Sequence, residues 1–443
     1  MTRSLDLQHA IEEMPLGRQH GLIVTLLALA TLFDGYNVYV PAYVIPYALG
    51  AWRLSPSAAG LLVSSGLIGF MLGSLANGAL ADRIGRKPVL VGSLLFAALG
   101  NLLTAAWVGS YAQFLIARLL TGLGLGMILP VSVTLLSEVA PRRTGNVLLG
   151  WVMAGWSIGG TAAALTAIAL TPAYGWRALF VVGALAAPLA ALVAALLPES
   201  PHFLALNGKR SALRAVLAGL ASNGGERYAA CDFASPGDAS RRGSFLRLLA
   251  PDLRAGTLIV WACSALSLFT IFGLSSWIPQ IMLERGAAVS ASFGLGAWLQ
   301  FAAVLGGLGC GWLADRAGRD RTLAASWILG AAALAGLALV TRPATDLTFL
   351  AVAGFCIFGA QPVLNNCTAA LYATEIRSTG VGAQLGVGRF GAILGPYIGG
   401  WLQQLFPGAT ALLLTMACAL GSCALCLRLL DRAAAPVRAA TSE

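Results

Sequence analysis

The sequence predicts an all-α polytopic membrane protein, with twelve transmembrane helices in two six-helix bundles. Three observations lead there. Of 443 residues, 58% are hydrophobic and only 10% charged, where a soluble protein carries about 25% charged residues; the mean hydropathy is +0.79. Runs of about 20 apolar residues recur from end to end, the length that crosses a hydrocarbon core about 30 Å thick. One long polar stretch, 198–254, separates six such runs from six. Alternating hydrophobicity over ten-residue segments, the mark of a membrane β-barrel, is absent.

In chain order, a mostly polar segment, 1–20, precedes the first run, which is too long for the apolar core of a secretory leader. The N-terminal bundle, 21–197, holds spans at 21–49, 57–80, 88–108, 112–137, 145–170 and 176–197. The linker, 198–254, reads as short amphipathic helices with flexible Gly/Ser joints. The C-terminal bundle, 255–428, holds spans at 255–279, 290–313, 321–341, 346–371, 379–404 and 407–428, and a tail follows at 429–443.

The net charge of +10 raises the question of nucleic acid, and the placement of the 28 basic residues answers it. With the N-terminus inside, 22 fall in cytoplasmic segments, four face outward (Arg53, Arg177, Arg285 and Arg342) and two, Arg118 and Arg389, lie within spans. That asymmetry is the positive-inside pattern, so the basic charge sets topology. The expectation is a multi-pass protein of the cell membrane with both termini cytoplasmic, in contact with lipid and not with nucleic acid.

Of eight cysteines, seven fall in predicted spans and Cys231 lies in the linker. Cys423 and Cys426 have CxxC spacing, but in an apolar helix without histidines they read as small buried hydrophobes. The three histidines, His9, His20 and His202, all lie outside the spans. No nucleophile–histidine or metal constellation is present in the sequence, so no enzyme, metal or cofactor is expected.

The two halves repeat. "GALADRIGRK" (78–87) ends the second span and "GWLADRAGRD" (311–320) ends the eighth, with Gly, Leu-Ala-Asp-Arg, a second Gly and Arg in register. An internal repeat in a polytopic chain points to a transporter with its site between two bundles. Asp82, Arg83 and Arg86, and their counterparts Asp315, Arg316 and Arg319, stand where a helix meets the cytoplasm, suited to link neighbouring helices when that side is shut. Glu138 and Glu375, at the ends of the fourth and tenth spans, are candidate gate partners, with Arg142 and Arg377 close behind. The second loop ends in Asp320 where the first has Lys87, so the two gates are not electrostatic copies.

Twelve spans in six plus six with this loop motif resemble the major facilitator superfamily over nearly the whole chain. "RLLTGLGLG" (118–126), "SEVAPRRTGN" and "LPESPHFL" (197–204) are shared by its sugar porters and its aromatic acid:proton symporters. "DGYN" in the first span, "SSWIPQIM" (275–282) and "YATEIRSTGVGAQLGVGRFGAILGPYIGG" (372–400) resemble the aromatic acid:proton symporters more closely. The resemblance implies the major facilitator fold and proton-coupled uptake of a small aromatic acid. One departure bears on stoichiometry: the family usually has DGYD, and here Asn37 replaces the second carboxylate. "GAILGPYIGG" (391–400) resembles a glycine–proline pattern that drug antiporters carry in the fifth span; its place in the eleventh argues against efflux.

A charged side chain at the bilayer centre costs about 2.5–3.5 kcal/mol on insertion scales, so its presence is a functional hypothesis by default. Asp34, Arg118 and Arg389 are the clear cases. At about 1.5 Å per residue they lie about 20, 28 and 15 Å in from the cytoplasmic ends. Asp34 shares a helix face with Asn37 and Pro41, and Pro41 has no N–H, so the carbonyl of Asn37 loses its helical partner. Such groups are tolerated at membrane depth only where they face protein or water. Burial raises a carboxylate's pKa and a neighbouring arginine lowers it, and an acid held between those forces can exchange protons. Asp34 with Arg118 is therefore the proton-coupling candidate; the plain alternative is a permanent salt bridge between the first and fourth spans.

Arg389, between Gly388 and Gly391, is the candidate for a substrate carboxylate, which a guanidinium binds with two parallel hydrogen bonds. Gln361 lies at similar depth and Asn365 one turn nearer the cytoplasm; these amides could orient the acid or a ring hydroxyl, and Asn365 and Asn366 could instead serve as interhelical glue. Tyr36 and Asn37 complete the substrate candidates. Tyr43, Tyr47, Trp156, Phe269, Phe272 and Trp298 could sandwich a ring or simply pack, and Trp277 reads as an interfacial or outer-gate residue.

The function expected is import of a benzoate- or hydroxybenzoate-type acid with protons by alternating access, by a monomer. The alternatives are a proton-coupled sugar or polyol porter, since the fourth span and "LPESPHFL" allow it, and a non-transporting membrane sensor.

Overall fold

The computed structural model describes residues 4–221, 232–234, 245–340 and 342–440. Its helices are α1 (Leu7–Glu12), α2 (Arg18–Ala51), α3 (Pro56–Ile84), α4 (Arg86–Ala106), α5 (Tyr111–Ser137), α6 (Gly145–Tyr174) and α7 (Arg177–Leu196). Then come α8 (Pro201–Leu206), α9 (Arg210–Leu220), α10 (Arg254–Glu284), α11 (Val289–Ala317) and α12 (Arg319–Leu339). Last are α13 (Ala344–Leu371), α14 (Thr374–Leu405) and α15 (Thr410–Ala440). Among the described residues the strands are β1 (Ser4–Asp6) and β2 (Asp232–Ala234), three residues each and paired in parallel.

Among the described residues, eleven helices are long and apolar enough to cross a membrane: α2 to α7, α10 to α13, and α15 over Thr410–Leu427. The predicted eleventh span, 379–404, falls in α14, whose 32 residues are ample in length. Its glycines, glutamines and Arg389 make it the least apolar of the twelve, and those residues recur in the site below.

The chain divides into two compact units, one of residues 1–38, 68–160 and 177–240, the other of 39–67, 161–176 and 241–443. In lipid no hydrophobic force drives helix against helix, so association rests on close packing and interhelical hydrogen bonds, and small residues let backbones meet. The first unit follows that rule. Gly35 and Gly159 bring α2 and α6 together at the carbonyls of Trp156 and Leu32, and Gly69 and Gly126 do the same for α3 and α5. Thr31 Oγ1 donates to the Val152 carbonyl at 2.6 Å across α2 and α6. The N-terminal segment belongs to this unit: Leu7, Ile11 and Met14 are buried, and the Arg142 N–H donates to the Glu12 carbonyl at 3.2 Å. In α9, Leu213, Leu217 and Leu220 form one buried stripe at helical spacing.

In the second unit α10 lies along α14, with Gly391 and Gly395 set against the carbonyls of Ala265 and Phe269. Residues 39–67 join it: Gly60 faces the Pro396 carbonyl, Gly400 faces that of Pro56, and Ser64 Oγ donates to the Ile393 carbonyl at 2.6 Å. Tyr43 meets Phe293 edge to face at 5.2 Å. Trp277 is fully buried, its indole N–H on the Pro396 carbonyl at 2.9 Å. The interfacial reading of that tryptophan is thereby corrected: it anchors α10 to α14.

Both repeated loops turn on a glycine that no other residue replaces without strain. Gly85 has φ 103° and ψ 162°, and Gly318 has φ 94° and ψ 147°, a region essentially reserved for glycine. The two copies of the motif thus share one backbone turn.

Candidate functional site

Three clusters of polar side chains stand out, and each forms within one unit. The first surrounds the carboxylate of the first span. Asp34 and Asn37 are fully buried and Arg118 is 2% exposed. Pro41 and Pro46 lie inside α2 without breaking it. The carbonyl that Pro41 deprives of its helical N–H is that of Asn37, and Arg118 Nη2 donates to it at 2.9 Å. Arg118 therefore reaches α2 one turn from Asp34 and caps a backbone group that would otherwise be orphaned in the membrane. Its Nε and Nη1 are buried and donate to no described residue. The Asn37 side chain donates to the Phe33 carbonyl at 2.8 Å, and Tyr36 donates its hydroxyl to the Leu179 carbonyl at 2.9 Å, so its ring is fixed against α7.

Asn101 on α4 completes this cluster. It is fully buried, and neither its Oδ1 nor its Nδ2 has a hydrogen-bond partner among the described residues. A Cβ at Gly183 would sit 2.5 Å from Asn37 Oδ1 and 3.0 Å from Asn101 Nδ2, so the two amides lie no more than 5.5 Å apart across that glycine. Orphaned buried polar atoms are rare in native proteins and mark strained or functional places.

The second cluster lies on α10, α13 and α14. A π-turn at Gly354–Phe358 precedes Gln361 in α13, and Pro362 follows it; single π-turns inside α-helices occur often at functional sites. Ser267 Oγ donates to Gln361 Oε1 at 2.9 Å, and Gln361 Nε2 lies 3.5 Å from Asn365 Oδ1. Gln384 Nε2 donates to both Asn365 Oδ1 and Ser264 Oγ at 3.1 Å. Ser264, Ser267 and Gln384 are fully buried, whereas Gln361, Asn365 and Arg389 are partly accessible. Arg389 follows Gly388, which packs on the Ser264 side chain.

The third cluster gathers the first copy of the loop motif. Arg86 is nine-tenths buried, its Nη2 3.2 Å from Glu138 Oε1 and 3.4 Å from Asp82 Oδ1. Glu199 Oε1 accepts the backbone N–H groups of Arg86 at 3.0 Å and Ser200 at 2.8 Å, and Ser200 Oγ bonds Glu138 Oε2. Phe203 lies under the Arg86 guanidinium at 5.8 Å. The stretch "LPESPHFL" is thus the clasp of this ion pair. Arg83 is exposed. The second copy is arranged differently: Asp315 and Arg319 are exposed, and Arg316 stacks over Trp312 at 4.1 Å. The side chain of Glu375 and Cys231 lie outside the described residues.

Comparison with known proteins settles the family. A model described as Major Facilitator Superfamily matches residues 27–396 and 260–443. The chain belongs to the Major Facilitator Superfamily. This makes it a multi-pass membrane transporter and not an enzyme. It is 33% identical over 406 residues to the 4-hydroxybenzoate transporter PcaK of Pseudomonas putida, covering 91% of this chain and 90% of that protein. It is 32% identical to the gallate transporter of the same organism, covering 90% and 89%. Among solved structures, a bacterial homolog of the human lysosomal transporter Spinster, inward-facing and unoccupied, superposes with a TM-score of 0.76 at 16% identity, covering 95% of this chain and 98% of that one.

Within this major facilitator chain, sequence reasoning named Asp34, Asn37, Arg118, Gln361, Asn365 and Arg389, and did not name Asn101, Ser264, Ser267, Gln384 and Glu199, which share these clusters. The missed residues are single polar side chains in apolar runs. A usable signal was present for two of them: Asn101 and Gln384 are amides well inside predicted spans, where a polar group needs a partner.

Proposed function

We propose that the protein imports a small monoaromatic carboxylate of the benzoate or hydroxybenzoate type together with a proton, by alternating access. It works as a monomer in the cell membrane with both termini in the cytoplasm. The observation that carries this reading is the similarity, across nine-tenths of the chain, to transporters named for 4-hydroxybenzoate and gallate. The buried Asp34 beside the Arg118–Asn37 contact supports the proton step, because a carboxylate at membrane depth is costly and its presence points to a function such as a proton relay. Arg389 holds the substrate carboxylate, with Gln361 and Asn365 on the ring substituent. The ion pair of Arg86 with Glu138, with Asp82 and Arg83 beside it, serves the cytoplasmic gate on one side, and Asp315, Arg316, Arg319 and Glu375 serve it on the other.

With one ionisable carboxylate in DGYN, a single proton accompanies a monoanion, and the cycle moves no net charge. The test is uptake of labelled 4-hydroxybenzoate into proteoliposomes under an imposed pH gradient, acid outside. Accumulation that collapses with a protonophore, and that excess benzoate but not glucose inhibits, is the expected result. Inhibition by glucose and indifference to benzoate would make the protein a sugar porter, and binding without flux would make it a sensor.

A further inference from the structure

The amide network on α10, α13 and α14 has a direction. An amide side chain carries one acceptor oxygen and two donor hydrogens on nitrogen. Gln361 Oε1 is taken by the Ser267 hydroxyl, and Asn365 Oδ1 by Gln384 Nε2 with Gln361 Nε2 beyond it. Asn365 Oδ1 thus accepts twice and Gln361 Oε1 once, and both oxygens are turned to protein donors. Asn365 Nδ2 donates to no described residue, and Gln361 Nε2 has only a bond at the 3.5 Å limit. The members that impose this, Ser264, Ser267 and Gln384, are fully buried behind the two accessible amides. Gln384 does most, because its single nitrogen is shared between Ser264 and Asn365 at 3.1 Å each. Gly388, one turn on from Gln384, packs α14 against the Ser264 side chain.

We propose that Gln384 is a positioning residue that locks Gln361 and Asn365 with their nitrogens turned to the substrate, giving a donor-rich face that selects aromatic acids whose ring bears a hydrogen-bond acceptor. This rests on the reading that Gln361 and Asn365 meet the ring substituent of an aromatic acid. A substituent that accepts, such as a carbonyl, satisfies the face. One that chiefly donates, such as an aromatic amine, leaves buried donors opposed and unpaired, and a site built to hydrogen-bond discriminates strongly against a partner that cannot. A hydroxyl, which does both, falls between.

The test measures inhibition constants of 4-formylbenzoate, 4-aminobenzoate and 4-methylbenzoate against counterflow of labelled 4-hydroxybenzoate in proteoliposomes. In the unaltered protein 4-formylbenzoate binds tighter than 4-aminobenzoate by about tenfold. In Gln384→Met, which keeps the volume and removes the donor, that ratio falls towards one while the constant for 4-methylbenzoate holds. A merely structural role would weaken all three alike. Asn365→Leu, at a more accessible position, removes the donor directly and collapses the same ratio if the first variant fails to fold. A ratio at or below one in the unaltered protein, or a ratio unchanged in both variants, overturns the proposal. If none of the three benzoates competes, the aromatic acid reading falls with it, which is a distinct result.

Discussion

Asn37 stands at the centre of the first cluster. Its carbonyl accepts from Arg118 and its side-chain Oδ1 lies near Asn101 across Gly183, yet it carries no charge of its own. Asp34→Asn should abolish accumulation driven by a pH gradient while leaving exchange of labelled for unlabelled acid, since exchange needs no net proton movement. Full accumulation by that variant would remove Asp34 from the mechanism. Asn37→Asp adds a second titratable group one turn away. Uptake should then respond to a membrane potential imposed without a pH gradient, a drive of about 2.3 kcal/mol per charge per 100 mV, to which uptake by the unaltered protein should not respond. A variant as indifferent to potential as its parent would count against a proton-linked role for this position.

At the scale of the element, proline decides which backbone groups of a helix in lipid must find partners elsewhere. Pro41→Ala restores an N–H that recaptures the Asn37 carbonyl and displaces Arg118, whose Nε and Nη1 already donate to no described residue. A hydrogen bond to a charged group is worth about 1.5–3 kcal/mol, so uptake should fall about tenfold with expression retained. The clasp of α3, α4, α5 and α8 makes a second forecast. The Arg86–Glu138 pair is nearly buried, with side chains 10% and 12% exposed, and removing one partner of a buried pair costs about 3–5 kcal/mol. Glu138→Gln should lower the melting temperature of detergent-purified protein. Asp82→Asn should move it far less, because that carboxylate is 53% exposed and exposed pairs contribute little.

For the molecule as a whole, the second unit rests on close backbone contact between its 39–67 segment and α14. Gly60 meets the Pro396 carbonyl and Gly400 meets that of Pro56, so the 39–67 segment and α14 touch where a side chain would intrude. The glycine–proline stretch "GAILGPYIGG" is the surface they share, which gives that motif a packing role. Overfilling a tight contact costs about 1–3 kcal/mol, so Gly60→Leu and Gly400→Leu should each lower uptake about tenfold. Stabilisation of the purified protein by 4-hydroxybenzoate should survive, since the substituted positions are remote from Arg389 in sequence register. Loss of that stabilisation would show that the contact shapes the site itself.

The helices of this protein were legible because bilayer thickness sets their length and apolar composition marks it. The orientation expected from the basic residues follows from the same physics of membrane insertion. Asp34, Arg118 and Arg389 were legible for the converse reason: charge at membrane depth is too costly to be incidental. The release of the Asn37 carbonyl could be read from Pro41 alone, but its capture by Arg118 could not, because counting along separate helices gives depth and not facing. The same limit hid Asn101, Ser264 and Gln384, each one polar residue in an apolar run until packing set it against others. Sequence determined the spans and which of their residues are expensive; only the tertiary structure decided which of those residues satisfy one another, since hydrogen bonds between helices depend on rotation and register that a linear pattern does not carry.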